Sequence, residues 1–259
     1  MKHAKLFKIN LVLIIALLCL NCGGKTQSSD EATGESLSAV QLIAKADNLY
    51  KQREDLTKLR DGLQLLRRAR VAEGNNYEAA WKLAKFNYFM GNNTKDEDLR
   101  DRSFKDGITA GKSAIKLQPE KADGYFWLGA NLGGQASGNV LDGAANLSEI
   151  RQNMNKVIEI QPDYQGAMAY VVLAQTELET RGLMGGSAEK AADYLEQALK
   201  LNKENSFIYL YLAESYFYTN RKAEAKKMLD AMRNMPPSPD YLPERREAEE
   251  KAKKLEAKF

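Results

Sequence analysis

A two-helix pattern that returns along the chain constrains this sequence more than any other feature. It is cleanest in residues 206–237, SFIYLYLAESYFYTNRKAEAKKMLDAMRNMPP. Tyr209, Leu212, Ala213 and Tyr216 share one face of a first helix. A turn at Thr219, Asn220 and Arg221 follows, and Ala225, Leu229 and Met232 then stripe a second helix closed by Pro236 and Pro237. Upstream, Trp81, Ala84, Tyr88 and Gly91 pair with Gly107, Gly111 and Ala114, ending at Pro119. Tyr125, Leu128, Gly129 and Leu132 pair with Ile150, Met154 and Val157, ending at Pro162. Tyr170, Leu173 and Ala174 pair with Ala191, Leu195 and Ala198, and a leading unit runs through Ala46 and Tyr50 to Gly62, Leu66 and Ala69. A small residue lets two helices approach while large ones fill the space around it, so each unit is a packed hairpin and successive hairpins stack.

The order aromatic, Leu, small, Tyr on the first helix and Ala, bulky, Ala, Pro on the second resembles the tetratricopeptide repeat. The fold expected is therefore an all-α solenoid of tetratricopeptide-type helical hairpins with long interhelix insertions and a C-terminal capping helix. The repeats should occupy residues 38–237 and the charged amphipathic cap residues 238–259. The closing positions Pro119, Pro162, Lys203 and Pro237 lie 43, 41 and 34 residues apart, so the insertions fall between paired helices. Residues 92–103, 133–147 and 180–188 read as long Gly-rich connections gathered on one side of the solenoid, with or without a binding role. Lys85 stands where a small residue is usual, and Glu177 where an aromatic one is. Gly107-Ile-Thr-Ala-Gly111-Lys112-Ser113 is not a phosphate loop, because it has three residues between its glycines and lies in a helical stretch.

Residues 1–21 differ from all this. Lys2, Lys5 and Lys8 precede the unbroken apolar run LVLIIALLCL at residues 11–20. That run is short for a membrane span and has the order of a secretory signal. It ends at Leu20-Asn21-Cys22-Gly23-Gly24, which resembles a lipobox, with Asn21 departing from the usual Gly, Ala or Ser. The expectation is a lipoprotein signal peptide over 1–21, acylation of Cys22, and a flexible tether over 22–37. The chain would then be exported and lipid-anchored to a bacterial membrane, the outer one, facing the periplasm. An uncleaved anchor, or an ordinary signal peptide with an incidental Cys, are the alternatives.

Loss of that signal removes three lysines from 38 basic residues and leaves 35 facing 35 acidic ones, so the charge gives no argument for nucleic acid. It also removes His3, the only histidine, and Cys19. Histidine bases, Ser-His or Cys-His nucleophiles, structural disulfides and Cys/His zinc sites are excluded for the mature chain. No cofactor and no enzymatic activity are expected; carboxylate, Lys or Tyr catalysis stays open but has no identifiable residues.

Gly185-Gly186-Ser187-x-x-Lys190-Ala191, leading into Tyr194-Leu195-Glu196-Gln197-Ala198, resembles exported tetratricopeptide proteins that include the accessory lipoprotein of TRAP (tripartite, binding-protein-dependent) transporters. The resemblance implies docking to a periplasmic solute-binding protein and an apolar ligand chamber. A second apolar face on the first helices points the same way. It carries Phe86, Phe89, Met90, Phe126, Met168, Val171, Leu178, Phe207, Leu210, Phe217 and Tyr218. Helices apolar all round must be buried on both faces or line a cavity. Either these residues form a concave groove for a ligand or partner, or the superhelix closes up, or the C-terminal helix folds into that groove. The expected role is a protein-interaction scaffold, with a carrier of an apolar or amphipathic ligand as the alternative.

Overall fold

A computed structural model describes residues 37–136, 140–182, 184–236 and 242–259. Cys22, the signal and tether segments before residue 37, and Pro237 lie outside the described residues. Eleven helices are found among the described residues: α1 (Ala39–Tyr50), α2 (Leu56–Ala72), α3 (Tyr77–Asn93), α4 (Glu97–Leu117), α5 (Ala122–Ala136), α6 (Val140–Ile160), α7 (Tyr164–Glu179), α8 (Ala188–Leu201), α9 (Ser206–Tyr218), α10 (Lys222–Asn234) and α11 (Leu242–Glu256). The first ten form five antiparallel hairpins, as the repeat pattern requires.

Local chemistry sets where helices begin and end. Ser38 caps α1 in a reciprocal box with Gln41, and Asn76, Asp96, Ser187 and Asn205 each accept a backbone N–H of the first turn with a side-chain oxygen. Helix α9 ends with Asn220 at φ +62°, and the N–H of Arg221 reaches back to the Tyr216 carbonyl at 2.7 Å. That is a left-handed C-terminal turn made with Asn in place of Gly. Gln165, Gly166 and Ala167 also form a left-handed turn, held where Asn205 Nδ2 donates to the Gly166 carbonyl at 3.0 Å, so the right-handed part of α7 starts at Met168.

Packing follows the small residues. Ala84, Ala174, Ala213 and Ala225 are fully buried between helices, with Leu66, Met154, Leu195 and Leu229 filling the gaps beside them. Ala213→Leu should therefore overpack the α9–α10 hairpin and cost about 1–3 kcal/mol. An unchanged midpoint in urea denaturation would refute this register.

Two of the three stretches that read as loops are mostly helix. Only residues 94–96 separate α3 from α4, and both α4 and α6 run to 21 residues. The glycines there serve close packing instead of turns: a Cβ on Gly111 would lie 2.9–3.1 Å from Leu128 atoms of α5, backbone included. One on Gly134 would press on the Phe104 ring. The third stretch is a true connection, with Gly182 and Gly185 at positive φ and Arg181 bridged to Gly186.

Successive first helices (α1, α3, α5, α7, α9) touch one another and form the inner wall. Second helices stand further apart and meet through side chains, such as Arg70 Nη2 donating to Ser113 Oγ at 3.0 Å. Asp123 ties the starts of three first helices together, accepting the Tyr77 and Tyr164 hydroxyls at 2.9 and 2.8 Å. Burial, reinforced by that carboxylate, raises both phenol pKa values well above the usual range, so both remain donors.

The C-terminal segment is helical and capping, and it caps from the inside. Helix α11 packs on α9, with Ala248, Ala252 and Leu255 buried against it. Its N-terminal end reaches the turn between α1 and α2: Arg53 Nη2 donates to both Glu244 carboxylate oxygens at 2.8 and 2.9 Å, and Arg246 pairs with Glu54. Its other end stacks Phe259 on Phe217, with ring centroids 5.1 Å apart. Helix α11 thus lies against the α9 part of the inner wall and reaches the α1–α2 turn through these ion pairs.

Candidate interaction groove

The inner wall has an aromatic floor in two parts. Toward the N-terminal hairpins, Tyr50 of α1 lies 4.7 Å from Phe86 and 5.2 Å from Phe89 of α3. Tyr88 and Phe89 each continue the nest to Trp127 of α5, at 5.8 and 6.3 Å. Two cations enter it. Lys85 Nζ sits 4.1 Å above Tyr50 and 5.7 Å from Trp127, and the Arg53 guanidinium lies over Tyr50 and Phe89. Burial, with Lys82 and Arg53 nearby, lowers the Lys85 pKa to about 8; burial pushes Tyr88 up to about 12.

Toward the C-terminal hairpins, Phe207 and Tyr211 of α9 stack at 6.1 Å, and Lys251 of α11 donates to the Tyr211 hydroxyl at 3.2 Å. Beside them a cleft of about 410 Å³ opens between α7, α9 and α11. Its apolar lining is Leu178, Leu210, Tyr211 and Leu255, and its rim carries Glu179, Glu214, Lys254 and Lys258. Burial raises the pKa of Glu214, which makes no hydrogen bond or ion pair among the described residues.

The eleven residues of the second apolar face are distributed unevenly over this wall. Leu178, Leu210 and Tyr218 come together at the cleft. Phe86 and Met90 are 1% exposed in the N-terminal core, where the Phe86 ring fills the space a Cβ on Gly62 would need. Phe89 is half-buried in the aromatic nest. Phe126 is buried in the central core, with Met168 half-buried beside it. Val171 is buried with the C-terminal core, where Phe207 is half-buried, and Phe217 lies under Phe259. Tyr50, Arg53, Lys85 and Trp127 belong to the groove although the apolar period did not select them. Their signal was charge and aromatics at the inner edge of α1, α3 and α5, with Lys85 standing out as a charge in a small-residue position.

Glu177 does local work. It accepts Arg151 at 3.1 Å and the Ser187 N–H at 3.2 Å, while a Cβ on Gly186 would meet the Glu177 carbonyl and the Thr180 hydroxyl. The Gly-Gly-Ser stretch is thus accounted for by close approach and by the Ser187 cap of α8. Among the described residues no group of three or more His, Cys, Asp or Glu could hold a metal ion.

Stacked hairpins with an inner groove define a helical repeat protein of the tetratricopeptide class, and a tetratricopeptide repeat model matches residues 183–242. Over residues 42–173, just over half its length, the chain matches the model described as "Regulator of microtubule dynamics protein 1-3", and it belongs to that family. Regulator of microtubule dynamics protein 3 of Rattus norvegicus is 25% identical over 223 residues, covering 80% of this chain and 46% of that protein. The chain therefore spans less than half the length of that curated relative. Among solved structures, TTC0263, a thermophilic TPR protein of Thermus thermophilus, superposes with a TM-score of 0.59 at 20% identity, over 82% of this chain and 98% of that one. MamA superposes with a TM-score of 0.51 at 17% identity, over 75% and 89%. At these identities both support the fold alone.

Proposed function

We propose that this chain is a lipid-anchored scaffold that holds a protein partner in the groove of its tetratricopeptide-type solenoid. The observation that carries the reading is the inner wall itself: aromatic rings from α1, α3 and α5 with Arg53 and Lys85 in cation–π contact, and rings from α9 with Lys251. Aromatic and Arg side chains of this kind are what protein interfaces use as anchors. The lipobox-like Leu20-Asn21-Cys22-Gly23-Gly24 supports anchoring, and among the described residues no helix is long and apolar enough to cross a membrane. The Gly185-Gly186-Ser187 likeness supports a transporter-accessory setting, with a periplasmic solute-binding protein as partner. The name of the rat relative adds a microtubule as a competing partner, read by co-sedimentation with polymerised tubulin.

Two experiments test this reading. Photo-crosslinking from the Tyr50 and Tyr218 positions should give one recurring protein adduct that the exposed Val71 position does not give. The same adduct at all three, or none, would remove the groove as the binding surface. Cys22→Ser should shift the chain from the membrane pellet to the soluble fraction, because the several acyl chains of a lipoprotein anchor stably where one does not. Retention of the Cys22→Ser chain in the pellet after a high-salt wash would remove the anchor.

The 410 Å³ cleft favours a second reading, a carrier of an amphipathic ligand with its tail on Leu178, Leu210 and Leu255 and its anionic head on Lys254 or Lys258. A co-purifying lipid-sized mass in native mass spectrometry would favour it over the scaffold.

A further inference from the structure

Two walls of opposite sign face each other across the cleft between α7, α9 and α11, and they do not pair. Glu179 ends α7 and Glu214 lies in α9, while Lys254 and Lys258 stand on the α11 side. Among the described residues no ion pair joins either acid to a lysine of the opposite wall. Lys251 is committed elsewhere, to Glu247 at 2.8 Å and to the Tyr211 hydroxyl at 3.2 Å. Glu179 accepts Gln175 Nε2 at 2.7 Å, which leaves Glu214 as the wall carboxylate without a partner among the described residues.

The gap is built into the packing. Helix α11 is pinned to the α9–α10 hairpin where Arg233 Nη2 pairs with Glu256 at 2.5 Å and Arg245 Nη2 donates to the Arg233 carbonyl at 3.1 Å. Lys222 Nζ donates to the Phe259 carbonyl at 2.9 Å, and Ala248, Ala252 and Leu255 are buried in the same core. At the other end Arg53 holds Glu244. The lysine wall is therefore fixed, and a ligand meets a preformed cleft.

Depth orders the charges. Glu214 is half-buried, and burial raises its pKa, whereas Lys254 and Lys258 are exposed at the rim. Leu178, Leu210 and Leu255, all buried, supply the apolar lining. A purely anionic amphiphile would lay its tail beside Glu214 and cover that carboxylate without giving it a donor, which is unfavourable. A purely cationic one would meet the rim lysines. A molecule with an ammonium inside, a carboxylate outside and apolar side chains between them satisfies all three features. The volume of about 410 Å³ is at the small end of ligand pockets, which suits a molecule of dipeptide size.

We propose that this cleft binds a small zwitterion, a short apolar peptide with free ends, its ammonium on Glu214 and its carboxylate on Lys254 and Lys258. The proposal rests on the carrier reading above and adds to it the class of ligand.

The test uses the full chain with Cys22→Ser and calorimetric titration of L-leucyl-L-leucine, its N-acetyl derivative, its C-terminal amide, and decanoate. The free dipeptide should bind, and loss of either charged end should weaken binding about tenfold or more. Glu214→Gln should weaken the free dipeptide by a similar factor and leave the N-acetyl form unchanged, because the charge that Glu214 meets is already gone. Lys254→Gln with Lys258→Gln should weaken the free dipeptide likewise and leave the amide unchanged. Glu214→Gln keeps the size of the side chain and relieves its burial cost, so helical circular dichroism and the melting temperature should not fall. Lost binding is thereby separated from a lost fold. An N-acetyl dipeptide that binds as tightly as the free one, or a Glu214→Gln chain that binds the free dipeptide normally, would overturn the proposal. Decanoate binding to a chain that refuses the dipeptide would overturn it too, while the carrier reading stands. Binding of none of the four probes would remove both.

Discussion

Gly107→Ala should cost about 2–4 kcal/mol of stability, a large effect for one methyl group. The added Cβ would lie 2.0 Å from Oδ1 and 2.4 Å from Cγ of Asn131. Asn131 cannot step aside cheaply. It is fully buried, and its Nδ2 donates to the Trp127 carbonyl at 2.6 Å and to the Ala84 carbonyl at 3.0 Å. The second of these joins α5 to α3, so moving the amide disturbs two helix contacts together. Its Oδ1 faces Gly107 with no hydrogen-bond partner. Overpacking accounts for about 1–3 kcal/mol and the displaced buried hydrogen bonds for a similar amount. The better helix propensity of Ala returns about 1 kcal/mol. Gly74→Ala, where a Cβ meets nothing within 4 Å, is the matching control. Urea denaturation of the two chains should separate clearly, and the loss should shrink when Asn131→Ala is added, because the two sites share one space. A Gly107→Ala chain within about 0.5 kcal/mol of its parent, the usual range for a substitution that disturbs nothing, would mean that α4 and α5 are further apart than described.

The same glycine shows what the sequence could and could not tell. Register was legible, because a repeat needs small residues where helices meet: Ala84, Ala213, Ala225, Gly107 and Gly111 all lie at such meetings. Loop length was not. Gly133 and Gly134 look like turn formers in a row, yet they lie inside α5, where Gly134 makes room for the Phe104 ring. Glycine marks either a turn or a close approach, and one sequence does not say which. The groove was half legible for a related reason. Phe86, Phe126 and Leu210 repeat with the right period, but period cannot separate a wall facing a cavity from one facing another helix. Here α11 and neighbouring first helices cover most of that face. The ion pair between Arg53 and Glu244 was invisible altogether, since the two residues are 191 positions apart and nothing local marks either.

Lys85 is a groove residue whose burial costs stability, and Lys85→Met should stabilise the chain at pH 7. Its pKa is lowered from 10.5 to about 8, chiefly by burial and then by Lys82 and Arg53, against the opposing fields of Asp47 and Glu244. A shift of that size corresponds to at most about 3 kcal/mol, since one unit is worth about 1.36 kcal/mol. Lys85 is half-buried and its cation–π contact with Tyr50 is lost on substitution, so the expected gain is about 1–2 kcal/mol. The sign with pH follows from linkage. Below pH 8 the lysine is charged whether folded or not, and the fold bears the full burial cost. Between pH 8 and 10.5 the folded chain releases the proton while the unfolded chain keeps it, so the parent gains stability as pH rises. The Met variant has no such rise, and its advantage should fade across that window. Thermal melts at about pH 7, 9 and 10.5 read this directly. A variant less stable than its parent at pH 7, or an advantage that does not change with pH, would show that Lys85 is held favourably by its aromatic neighbours.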